Sequence, residues 1–238
     1  MGFFKSFSSS SSNSTSSTPR ALNLIIVDES GSMSAIYDEA LDGMNRTIDA
    51  IQETAQGDSS TEQYITLVTF DSSSYKMHLR HCPAARARKL TRDDYRPGAC
   101  TPLYDAIGIS LTRLEPHVTN NDAVFVTIIT DGEENASRKF SGPQILNLIN
   151  RLKEKGWLFT FIGANQDVIA TAKSIGIDMH LQFETTAEGA KAMWEKENRA
   201  RKNYYKRMKQ FRQENPDATM SAFNDQECCS KEDFFERD

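Results

Sequence analysis

The sequence predicts an α/β fold, a three-layer sandwich whose mostly parallel central sheet carries helices on both faces. Three observations predict it. Apolar runs of strand length recur along the chain, amphipathic runs of helix length separate them, and runs such as Leu22–Val27 are apolar at five of six positions, as suits strands buried on both faces.

The elements follow in order. Leu22–Val27 is the first short apolar strand. Across 35–55, Ile36, Ala40, Met44, Ile48 and Ile51 fall on one helix face, and Ser34 is placed to cap that helix. QYITLVTF (63–70) is rich in β-branched and aromatic residues and reads as a strand, and YKMHLRHC (75–82) alternates like an edge strand beside it. The charged stretch 86–100 is a loop or short helix broken by Pro97 and Gly98. A helix over 101–115 starts at Pro102 and aligns Leu103, Ile107, Leu111 and Leu114. AVFVTIIT (123–130) is the strongest strand, PQILNLINRLKEKG (143–156) an amphipathic helix capped by Gly156, and WLFTFIG (157–163) a buried strand. A short helix over 168–176 and a last strand over 177–183 complete the alternation.

The ends differ in character. Residues 1–19 form a serine-rich leader too polar to fold alone, and the folded domain is expected over 20–183. A basic helix is expected over 184–214; its core, 191–212, carries nine Lys or Arg against two Glu. An acidic, loose tail is expected over 215–238, where eight acids stand against two bases from 213 onward.

Composition narrows the function. A chain of 238 residues with 38% hydrophobic content has material for a real core, and a net charge of −5 argues against a generally nucleic-acid-binding surface. The four cysteines, Cys82, Cys100, Cys228 and Cys229, suit neither a disulfide scaffold nor a zinc site and suggest a reduced, cytoplasmic protein. No apolar run approaches the roughly 20 residues that span a bilayer. Gly2 and Ser6 match the N-myristoylation pattern, which has meaning only in a eukaryotic cell.

In such a sheet, ligands bind at the carboxyl ends of the strands. The segment LNLIIVDESGSMS places Asp28, Ser30 and Ser32 at one such end; TDGEEN places Asp131 at another; GACTPLYD sets the Thr101 hydroxyl before a helix. Carboxylates and hydroxyls without histidine or thiolate select hard cations, Mg²⁺ or Mn²⁺ with Ca²⁺ as a further option, and two carboxylates suit an ion that keeps waters or an open position. Asp and Ser after a strand also make turns and caps, but capping explains no relation among three distant loops. Glu29 and Glu133 read as solvated neighbours. His78, His81, His117 and His180 are scattered without ligand spacing, and Cys100 reads as a small loop residue. The basic segment Arg80, Arg86, Arg88, Lys89, Arg92 and Arg96 reads as a solvated loop that would suit an acidic partner.

Together, DESGS, CTPLYDAIG and TDGEEN resemble the von Willebrand factor A-type (vWA) domain and its metal-ion-dependent adhesion site, with all five ligand positions filled in order. The resemblance covers about residues 20–183. It implies a metal reached by Ser30, Ser32 and Thr101, with Asp28 and Asp131 acting mainly through waters, and a protein partner whose Asp or Glu completes the shell. The chain looks like the stand-alone cytoplasmic bacterial members of that family, and the leading expectation is a non-enzymatic, metal-dependent protein-interaction module. Two other classes compete with it. Phosphatase-like hydrolases also begin with an Asp after the first strand and Mg²⁺, yet Ser30 stands where their second Asp would act. A nucleic-acid or membrane-surface binder would use the basic helix, whose Trp194, Tyr204, Tyr205 and Phe211 could stack on bases. The spacing of Trp194, Tyr204, Met208 and Phe211 reads better as a stripe docked on the domain, with Lys and Arg outward.

Overall fold

A computed structural model describes residues 18–164, 166–216, 218–228 and 234–236. Most of the serine-rich leader, with its Gly2 and Ser6 pattern, lies outside them. Six strands form one sheet: β1 (Arg20–Asp28), β2 (Glu62–Phe70), β3 (Tyr75–Pro83), β4 (Ala123–Thr130), β5 (Trp157–Gly163) and β6 (Met179–Gln182), in the order β3-β2-β1-β4-β5-β6. All neighbours are parallel except β3, which runs antiparallel to β2 at the edge.

The helices are α1 (Tyr37–Gly57), α2 (Leu103–Leu114), α3 (Gly142–Glu154), α4 (Gln166–Ser174), α5 (Ala187–Glu214) and α6 (Met220–Cys228). Strand alternation divides the core in two. Ala21, Ile25 and Val27 of β1 pack with Met44 and Ile48 of α1 and with Trp194 and Tyr204 of α5. Leu22, Leu24 and Ile26 pack with Leu103, Ile107 and Leu111 of α2 and Ile149 of α3. The sheet is therefore covered on both sides, and β4, the central strand most distant from any edge besides β1, is buried at all eight positions.

The start of α1 departs from the sequence expectation. Gly31–Ile36 form a 3-10 turn, α1 begins at Tyr37, and no side chain caps it. Ser34 is an exposed member of that turn, not a cap. Gly156 does end the α3 segment in the left-handed region, at φ +81°.

The C-terminal segment closes one face of the sandwich. The stripe on α5 is buried as its spacing predicts, with Trp194, Tyr204, Met208 and Phe211 between 0 and 9% exposed. Not every basic residue points outward. Arg201 is buried, stacks 4.3 Å over the Phe125 ring and pairs with Glu197 one turn earlier. It donates to Asn23 Oδ1 and Thr127 Oγ1, each at 2.7 Å, and Tyr205 Oη donates to the same Asn23 oxygen at 2.9 Å. The outward lysines pair with neighbours: Lys202 with Glu53, Lys209 with Asp58 and Lys196 with Glu236.

The region expected to be a loose acidic tail contains α6 and further buried aromatics, Phe223, Phe234 and Phe235. The acids dominate its composition, but its phenylalanines supply the burial: Phe234 lies edge-on to Phe125 at 5.9 Å. Asn224 ties α6 to the sheet by donating to the Gly156 carbonyl at 2.7 Å and accepting from Tyr204 Oη at 3.1 Å.

The crossing of α1 and α5 is close because Gly43 has no side chain. A Cβ there would sit 2.2 Å from the Trp194 indole. Gly43→Ala should therefore destabilise the fold by about 1–3 kcal/mol through overpacking. Gly57→Ala, with nothing within 4 Å, should be neutral or stabilising by up to about 1 kcal/mol from helix propensity. Thermal unfolding of the two variants checks the contrast.

Candidate functional site

The site grows from the carboxyl end of β1. Asp28 ends the strand fully buried, and a buried carboxylate needs donors. Its Oδ1 accepts from the Ser30 amide at 2.7 Å, which turns the chain, and its Oδ2 accepts from Thr130 Oγ1 at 2.6 Å, which fastens the end of β1 to the end of β4. Ser30 Oγ lies 3.2 Å from Ser32 Oγ, and Ser32 Oγ donates to Asp131 Oδ1 at 2.6 Å. Thr101 joins them from the loop before α2. A Cβ built on Gly132 would lie 3.0 Å from Thr101 Oγ1, 3.5 Å from Ser32 Oγ and 3.6 Å from Asp28 Oδ2. Oxygens of Asp28, Ser32 and Thr101 thus crowd one small space beside Gly132, where a side chain would be a tight fit.

Burial pushes the Asp28 carboxyl up to about 6 and raises Asp131 as well. Asp28, Ser30, Thr101 and Asp131 are buried, while Gly31 and Ser32 form the exposed lip. Among the described residues no group of three or more His, Cys, Asp or Glu is placed to hold a metal ion, and hydroxyls supply most of the oxygens here.

Two residues outside the five expected ones organise this arrangement. Glu29, expected at the surface, is completely buried. Its side chain takes partners entirely different from those of Asp28. It accepts from Thr69 Oγ1 at 2.6 Å, Lys76 Nζ at 2.6 Å and the Arg96 amide at 2.5 Å. It thereby pins the 96–101 loop, and the Gly98 amide reinforces this by donating to the Glu29 carbonyl at 2.8 Å. The signal in the sequence is its place one residue past Asp28 on a strand covered on both faces. Asn135 is the second. Its Oδ1 accepts from the Thr101 amide at 2.9 Å and its own amide donates to the Thr101 carbonyl at 3.1 Å.

Other candidates fall elsewhere. Glu133 is exposed. The basic loop is largely neutralised, with Arg88 on Asp94, Lys89 on Asp49, Arg92 on Asp38 and Arg96 on Asp93. His78 bonds Thr69 Oγ1 at 2.8 Å, behind Glu29 and away from the five oxygens. Cys100 is exposed beside Thr101.

No protein-family model matches this chain, and no curated protein matches it. The fold itself is vWA-like. The PilB minor pilin from Streptococcus sanguinis aligns at a TM-score of 0.56 and 11% identity over 79% of this chain. The vWF domain of the type V pili tip protein Mfa5 from Porphyromonas gingivalis aligns at 0.51 and 11%, covering 77% of this chain and 96% of that domain. The SpRpn10 VWA domain aligns at 0.51 and 11%, covering 74% and 94%. The chain spans 62% of the length of the PilB pilin.

Removing the Glu29 carboxylate leaves the Arg96 amide without its acceptor and the buried Thr69 hydroxyl with only His78. Glu29→Ala should cost about 1–3 kcal/mol per stranded donor, whereas Glu133→Ala should stay within about 0.5 kcal/mol. Urea midpoints of the two variants measure the difference, and equal values would contradict the structural role given to Glu29.

Proposed function

We propose that this chain is a metal-dependent protein-interaction module, a vWA-like domain whose metal-ion-dependent adhesion site captures an acidic side chain of a partner protein. The observation that carries the reading is the space at Gly132. Asp28, Ser32 and Thr101 oxygens crowd around it, Asp131 is bonded to Ser32, and Ser30 completes the set. Two desolvated carboxylates facing three hydroxyls fit a hard divalent cation, Mg²⁺ or Mn²⁺, which would supply the positive charge that burial denies them. Asp28, Ser30, Ser32, Thr101 and Asp131 would hold it. The ion would offer an electrophilic position to a partner carboxylate oxygen at the exposed lip formed by Gly31 and Ser32.

The fold neighbours support an interaction module over an enzyme, as they include a minor pilin and a pilus tip domain. We read the chain as non-catalytic and, from free Cys82 and Cys100, as cytoplasmic. Among the described residues no helix is long and apolar enough to cross a membrane. The aromatics that would serve a nucleic-acid reading of α5 are packed inside the fold.

Isothermal titration with Mn²⁺ tests the proposal. One ion per chain, removable by EDTA, is expected, with binding lost in the Asp28→Ala, Asp131→Ala double variant; unchanged binding there would sink the assignment. Gly132→Ala should also weaken the ion at least about tenfold, because its methyl group intrudes on Thr101 Oγ1. A pull-down from cell extract should recover the partner with Mg²⁺ present and lose it in EDTA.

A further inference from the structure

A second pocket, of about 290 Å³, opens between β3 and the C-terminal half of α2. Its walls carry Arg80 and His81 from β3, Arg113 from α2 and His117 from the turn after it, together with the apolar side chains of Met77 and Leu114. No carboxylate lines it. Residues that look unrelated in the sequence therefore converge, and the convergence is built by an irregular backbone. The β2–β3 register shifts between Ile65 and Leu67, and His81 adopts φ +44°, a left-handed conformation that non-glycine residues rarely take. The His81 amide bonds Thr66 Oγ1 at 3.1 Å in place of a ladder partner. Its ring stacks on Tyr64 at 4.4 Å and comes within 6.2 Å of the His117 ring. His81 Nδ1 is buried with no hydrogen-bond partner.

We infer that this pocket is a binding site for a phosphate monoester. Two guanidinium groups and two imidazoles around a small concavity supply the donors that a phosphate dianion takes up, and arginine matches phosphate oxygens two at a time. Asp122, the acid whose charge acts on His81, is held by Arg20 through two bonds of 2.9 and 2.5 Å. Arg113 is steadied by the Tyr75 ring 5.2 Å below it. The volume lies at the small end for organic ligands, enough for a phosphate and a short organic group against Met77 and Leu114. The pocket is separate from the proposed metal site. Thr66 lies four residues before Phe70, the partner of Asp28 in the sheet, which is roughly 13 Å along a strand.

The test is titration of the full chain with phenyl phosphate in EDTA, followed by NMR of the histidine ring C–H signals. Saturable shifts of the His81 and His117 signals are expected, with a Kd on the order of 1 mM or tighter. Arg80→Gln and Arg113→Gln should each weaken binding at least about tenfold, with circular dichroism confirming that each remains folded. The wild-type chain gives an independent answer: benzoate, similar in size but carrying one negative charge, should bind at least about tenfold more weakly. A phosphoserine tripeptide is titrated alongside; preference for phenyl phosphate marks a small-molecule site, and preference for the peptide marks a reader of phosphorylated side chains. Absence of saturable shifts in EDTA, or equal binding of benzoate, would overturn the inference.

Discussion

Two neighbouring carboxylates at the end of the central strand set the terms for everything around them. Asp28 and Glu29 are both fully buried, and each bonds its own separate set of donors. Each must gather donors, since an unpaired buried charge costs several kcal/mol. Asp28 gathers its donors from the next turn and from β4, so that the first and last loops of the site meet. Glu29 gathers its own from β2, β3 and the 96–101 loop, so that the middle loop is brought in. The arrangement of five oxygens is the by-product of satisfying two charges.

The opposite end of the energetic scale lies beneath α5. Arg201 and Glu197 are an ion pair with almost no exposure, and a pair of this kind is weak evidence for stability. Its geometry suggests another contribution. Asn23 and Thr127 on the sheet each receive one guanidinium nitrogen, and Phe125 receives its face. A helix bearing only an apolar stripe slides with little penalty, whereas one bearing this fork fits in a single register. The α5 helix is thus located by its polar contacts and held by its aromatic ones.

The alternation of strands and helices was legible because a two-sided sheet demands continuous apolar strands and the helices need a regular stripe. The strand ends carrying Asp28 and Asp131, and the helix start behind Thr101, followed from that alternation. What could not be read were polar residues whose burial depends on distant partners. Arg201 looks like any other member of a basic helix until Asn23 and Thr127 stand beneath it. Glu29 looks solvated until Lys76 and the Arg96 amide arrive. Phe234 and Phe235 sit in an acidic stretch whose charge suggests a loose chain, yet both are buried, with Phe234 edge-on to Phe125 and to Phe235. The approach of His81 to His117 depends on a bulge that no periodicity announces.

The bond between Ser32 and Asp131 spans 99 residues of chain. Loop closure over such a distance is entropically costly, and parallel pairing delays it further, because β4 meets β1 only after β2, β3 and α2 have been made. During synthesis and folding the five oxygens therefore remain apart until the central strands have zipped together. A partly folded chain therefore holds no such cluster of oxygens, which forms only once the centre of the sheet has been assembled.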